Sequence, residues 1–101
     1  MSSSPADAQE PRAVAVVVTN ETISVDLADG RTVSAPIAWY PRLAHATVAE
    51  RSNWRFIGHG EGIHWPELDE DLSVGGLLAG RSSRESNSSL ENWLADRKAA
   101  G

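Results

Sequence analysis

The sequence predicts an α+β domain: a mostly antiparallel sheet of about five strands, short helices on one face, and a C-terminal helix. Three observations predict it. Apolar and polar residues alternate from Ile23 to Ile37 around a single Asp-Gly turn, which is strand periodicity. A second apolar pair, Trp54–Ile57 and Ile63–Trp65, flanks the glycine-rich run Gly58–Gly62, as a second hairpin would. Two helix-start signatures, Thr47-Val48-Ala49-Glu50 and Ser88-Ser89-Leu90-Glu91, place one short helix between the two hairpins and one near the C-terminus.

Residues 1–11 hold no aliphatic side chain larger than alanine besides Met1, so they predict a disordered tail. A single domain is expected over 12–80, with a polar linker at 81–88 and the C-terminal helix at 89–99. Ala13–Thr19 is β-branched and apolar on both faces and reads as an interior strand. Ile23, Val25 and Leu27 follow on one face of the next strand, and Val33, Ala35 and Ile37 on one face of the third.

The hairpin register follows from those faces. A two-residue Asp29-Gly30 loop would set Val25 opposite Ser34 and mix polar with apolar side chains. A three-residue loop, Ala28-Asp29-Gly30, sets Val25 opposite Val33 and Ile23 opposite Ala35, with Gly30 in the left-handed position of a bulged type I turn. The longer loop is the expectation.

Pro41 suits the first turn of a helix. The Thr47–Glu50 capping box then divides this region into two helical pieces, about 41–46 and 48–52. Glu67–Asp71 reads as an acidic loop leading into a short helix capped by Ser73, with Val74, Leu77 and Leu78 as its stripe. In the last helix Leu90, Trp93 and Leu94 make a narrow apolar stripe, too little to hold such a helix alone in water. It must dock on its own sheet or on another chain.

The charge balance, nine basic against fourteen acidic residues for a net −5, argues against a nucleic-acid partner, since backbone phosphates require clustered Lys and Arg. It favours a basic protein partner instead. The ordered part is small enough that a protein partner or a homodimer would add useful stability. There is no cysteine, hence no disulfide and no thiolate chemistry. The longest apolar run is too short to span a bilayer and no secretory leader opens the chain, so no membrane association is expected and the cytoplasm is the expected compartment.

Trp54–Gly80 concentrates the chemistry, with two of four tryptophans, two of three histidines, six of eight glycines and five acidic residues. Gly58–Gly62 lacks the following helix and basic residue of a phosphate cradle, so its glycines read as turn residues. His45, His59 and His64 with Glu61, Asp69 and Asp71 lack metal-site spacing, and no metal or other cofactor is expected. No serine sits on a nucleophile elbow, so no catalytic residue is assigned. The one enzymatic alternative is His64 acting as a general base with Asp69 or Asp71. Trp39 and Trp54 are expected in the core. Partner contacts are expected at Trp65, at the acidic residues Glu67, Asp69, Glu70 and Asp71, and at Leu90, Trp93 and Leu94.

The segments DGR (29–31), AWYPRL (38–43), AT..ER (46–51), NW (53–54), G.GIHWP.LDED.SV (60–74) and LL.G (77–80) resemble the domain-of-unknown-function 2442 (DUF2442) family over about residues 14–80. The block around HWP.LDED.SV is the most specific, and the tail near 86–94 is similar to extensions in that family. Val48 stands where many members have proline. The resemblance implies a small bacterial α+β domain, commonly encoded beside another small protein of unknown function. That arrangement is similar to toxin–antitoxin pairs, with this domain in the antitoxin place. It implies no catalytic residues. The expected function is therefore non-enzymatic partner binding, antitoxin-like, against a small basic protein from an adjacent gene. A small enzyme or a DNA-binding autoregulator is the alternative, the latter lacking a helix-turn-helix.

Overall fold

The computed structural model describes residues 11–83 and 85–100. The expected tail over 1–11 therefore lies almost wholly outside the described residues. The architecture is α+β, with six strands in two three-stranded antiparallel sheets rather than about five strands in one. The first sheet holds β1 (Ala13–Val18), β2 (Thr22–Leu27) and β3 (Thr32–Pro36), with β2 at its centre. The second holds β4 (Arg55–Ile57), β5 (Gly62–Trp65) and β6 (Glu70–Ser73), with β5 at its centre.

The β2–β3 register is the expected one, Val25 opposite Val33 and Ile23 opposite Ala35. Leu27 donates to Arg31 O at 2.8 Å across the loop, and Gly30 has φ +96°. Two strand expectations are corrected. β1 is an edge strand rather than an interior one: it bulges between Ala13 and Ala15, and Val14 and Val17 remain 56% and 58% exposed. Residues 70–73 form β6, because Leu72 opposite Ile63 buries both side chains and so recruits half of the acidic run into the sheet.

A backbone bond ties the first sheet to the β4–β5 turn: Ala13 N–H donates to Gly60 O at 2.8 Å, while Val74 N–H, donating to Glu61 O at 2.9 Å, extends the β5–β6 ladder. Gly60 has φ +100°, and a Cβ there would sit 2.7 Å from Ala13 O, so this close approach requires glycine.

The helices are α1 (Pro41–Ala44), α2 (Val48–Ser52), α3 (Val74–Leu78) and α4 (Asn87–Ala100), after a 3-10 turn at Ile37–Trp39. Thr47 and Glu50 form the expected reciprocal cap of α2 at 3.1 and 2.9 Å. Ser73 caps α3 by accepting from Gly76 N–H at 2.9 Å; Val74 and Leu77 are buried while Leu78 is exposed. In place of a Ser88–Glu91 box, Ser86 accepts from Ser89 N–H at 3.1 Å, so α4 starts two residues earlier.

The core lies between the sheets and α1. Ile23, Val25, Leu43, Ile63, Trp65, Leu68 and Val74 are fully buried there, and Trp39 and Trp54 pack half-buried against it. Arg51, 7% exposed, sits at the edge of this core. Its guanidinium donates to Leu43 O, Ala44 O and Asn20 Oδ1 at 2.9, 3.0 and 2.7 Å. The arginine thereby supplies side-chain donors to the carbonyls at the end of α1.

Candidate functional site

The acidic run does not act as one patch. β6 and the turn before it distribute its carboxylates to separate places. Trp65 ends β5, Leu68 is buried under the turn, and Asp69 follows with φ +50°, a left-handed conformation that aspartate tolerates better than most residues. Strand alternation then turns Glu70 and Asp71 to opposite faces of the second sheet. Glu67 accepts from Asn53 Nδ2 at 3.0 Å and stays exposed.

Asp69 meets α4. Arg42 holds the turn by donating to Leu68 O at 2.9 Å, while the same guanidinium pairs with Glu85 at 2.6 to 3.0 Å just before α4. Trp93 lies between two cations: Arg42 is 5.2 Å from its ring centroid and Arg97 4.6 Å. Arg97 in turn forms a two-pronged pair with Glu50, both bonds 2.8 Å. That pair and the cap of α2 hold the Glu50 carboxyl down at about 2, Arg97 contributing most. Hydrogen bonding from Arg42 lowers Glu85 as well.

Between the turn and α4 lies a groove of about 540 Å³, lined by Arg42, Asp69, Ser88, Ser89, Asn92, Trp93 and Asp96. Of its charged side chains, Arg42 is already neutralised by Glu85, which leaves Asp69 and Asp96 to set the sign. The groove is acidic, with an aromatic side chain in its wall.

The structure brings Asp69 and Trp93 into this groove and places Leu90 and Leu94 half-buried on the same helix. It does not bring Trp65 there. Trp65 is 0% exposed and donates from Nε1 to Arg51 O at 3.0 Å, so the expectation that it touches a partner is corrected. Its neighbours Ile63 and Leu72 claim it for the core. Glu70 is half-buried, and desolvation, with Glu85 nearby, pushes its carboxyl up to about 7. It lines a second cleft of about 310 Å³ with Tyr40, Asp71, Ser73, Arg81 and Ser83.

His64 does not take a backbone partner. Its Nδ1 pairs with the Asp71 carboxylate across β5–β6, and Arg55 stands opposite His64 on β4, giving a cation–imidazole–carboxylate row on the outer face of the second sheet. No group of three metal-ligating side chains occurs among the described residues.

Arg42, Glu50, Glu85, Asn92, Asp96 and Arg97 were not legible as site residues. The spacing of Trp93 and Arg97, one helical turn apart, was the available signal. The partners of Arg42 and Glu50, which lie forty or more residues along the chain, left no local trace.

Two antiparallel three-stranded sheets carrying short capped helices, with a polar groove beside the last helix, define a small α+β domain. The family described as "Protein of unknown function (DUF2442)" matches residues 13–83. The chain belongs to this family. It is similar to a crystal structure of a protein of unknown function from Rhodospirillum rubrum, with 31% identity and a TM-score of 0.64 over 81% of this chain and 99% of that one. It is also similar to the solution structure of an uncharacterised protein from Chromobacterium violaceum, with 25% identity and a TM-score of 0.60 over 89% of this chain and 79% of that one. No protein of curated function matches. Among the described residues no helix is long and apolar enough to cross a membrane.

Proposed function

We propose that this domain acts by binding another protein, as the antitoxin-like member of a pair, and that the groove between the acidic turn and α4 receives a basic segment of that partner. The observation that carries the reading is the meeting of Asp69, Asp96 and Trp93 in one groove. Carboxylates around an aromatic wall suit Lys and Arg side chains, through charge complementarity and cation–π contact. The partner expected is a small basic protein encoded by an adjacent gene; a second copy of this acidic chain would bring like charge to the groove.

Co-purification with the neighbouring gene's product tests it. Asp69→Asn with Asp96→Asn is the informative change, because asparagine keeps the left-handed backbone at 69 and removes both charges. Recovery of the complex is expected to drop at least tenfold with unchanged thermal stability. Undiminished recovery would exclude the groove.

One arrangement favours a second reading. Asp71 orients the His64 ring as a carboxylate orients a general base. Retention of partner binding in His64→Gln, together with loss of a hydrolytic activity found by substrate screening, would promote it over the first.

A further inference from the structure

The Arg97 seat is more completely built than holding down a helix end requires. Glu50 is fixed before Arg97 arrives: it is the third residue of α2 and its Oε1 accepts from Thr47 N–H at 2.9 Å. Both its oxygens then face the Arg97 guanidinium at 2.8 Å, the paired geometry that a planar fork satisfies and a lysine ammonium does not. The same guanidinium stacks 4.6 Å from the Trp93 centroid, and Asp96 and Asp69 line the groove alongside. A preorganised carboxylate, an aromatic face and an acidic approach are the elements of a guanidinium recognition site. Helix α4 (Asn87–Ala100), which supplies Trp93 and Arg97, lies beyond the residues 13–83 that match the family, whereas Glu50 lies within them.

We infer that the Glu50–Trp93 seat is an arginine-binding site, filled in the free protein by Arg97 and taken over by an arginine of the partner's basic segment. This rests on the groove reading and names the side chain that anchors it. Arg97 sits near the end of α4, its side chain 29% exposed, and gives up one partly buried ion pair and one stacking contact when it swings out. An incoming arginine remakes both contacts and gains the field of Asp69 and Asp96. Arg97 is thus a competitor in cis, and the free protein binds more weakly by the fraction of time the seat is filled.

The test empties the seat in the full-length chain. Arg97→Ala is titrated with a blocked Gly-Arg-Gly peptide and with its Lys counterpart, following the Trp93 indole N–H by NMR. Saturable binding near a millimolar Kd is expected for the arginine peptide, about 1 mM being the order for one anchored side chain. The lysine peptide is expected to bind at least fivefold more weakly, and wild type to show no saturation. Adding Glu50→Gln to Arg97→Ala is expected to abolish binding. Equal binding of both peptides, or none up to about 10 mM, would overturn the inference. Should Arg97→Ala perturb the helix, Arg97→Gln gives the same readout. With the neighbouring gene's product as probe, Arg97→Ala is expected to bind at least threefold more tightly than wild type and the charge-matched control Lys98→Ala not to. If that product responds to Asp69→Asn with Asp96→Asn but not to Arg97→Ala, the seat fails while the groove stands.

Discussion

Two tryptophan–arginine assemblies in this domain use the same side chains to opposite ends. At the core, Trp65 is fully buried and donates to the carbonyl of Arg51, whose guanidinium is itself buried against two carbonyls and an asparagine. At the surface, Trp93 is held between Arg42 and Arg97, whose charges are matched by Glu85 and Glu50. The inner cation has neutral partners, two backbone carbonyls and the Asn20 side-chain oxygen. The outer cations have carboxylate partners in partly buried pairs, Arg42 and Glu85 being 16% and 8% exposed and Arg97 and Glu50 29% and 18%, so these contacts depend on ionised carboxylates. The inner assembly builds the fold, and the outer one ties α4 to it through ionised side-chain pairs.

Breaking the inner assembly is expected to have the largest effect. Trp65→Ala removes the biggest buried side chain and should cost about 3–5 kcal/mol, enough to unfold a domain of this size. Denaturant titration reads it. Arg51→Met leaves the ends of α1 and Asn20 without their donor and should cost about 2–3 kcal/mol. The matching outer change, Arg97→Met, should cost less, about 1–2 kcal/mol, because the freed Glu50 carboxylate keeps its cap bond and can reach water. Similar losses for Arg51→Met and Arg97→Met would erase the distinction between the two assemblies.

A pH effect of intermediate size is expected from Glu70. Its carboxyl is raised from 4.5 to about 7, chiefly by burial, so between those values the folded chain holds a proton that the unfolded chain has released. The stability it contributes is complete below about pH 4.5 and is lost as pH rises through about 7. Glu70→Gln should flatten that decline and leave the protein more stable at pH 8, by on the order of 2 kcal/mol after screening. Glu50 works in the other direction: held at about 2, it contributes stability above about 4.5 that is lost as pH falls toward 2. Thermal melts at about pH 2.5, 4.5, 6 and 8 separate the two. The smallest effect sharpens the comparison: raising salt to about 1 M should speed amide exchange in α4 and leave β2 and β5 unchanged.

How far the sequence disclosed this arrangement depended on how local each cause was. The Ala28–Gly30 loop, the Thr47–Glu50 cap and the Ser73 cap were legible because residues within a few positions decide them. β6 was not, because its acidic residues hide a strand whose only anchor in the core is Leu72. β1 misled for the converse reason, an apolar run that tertiary packing leaves at an edge. Trp65 and Trp93 were equally suspect in sequence, since exposure is set by partners far along the chain. Asp69 and Trp93 were both singled out, but their meeting required Arg42 to tie the turn to the segment before α4.

The most direct measurement is the footprint of the neighbouring gene's product on this chain, mapped by amide chemical shifts in the complex. Shifts concentrated at Asp69, Asn92, Trp93, Asp96 and Glu50 are expected, with Trp65 and Arg51 unmoved. A footprint centred on the His64–Asp71 face, or on Val14 and Val17 at the β1 edge, would contradict the groove as the working surface.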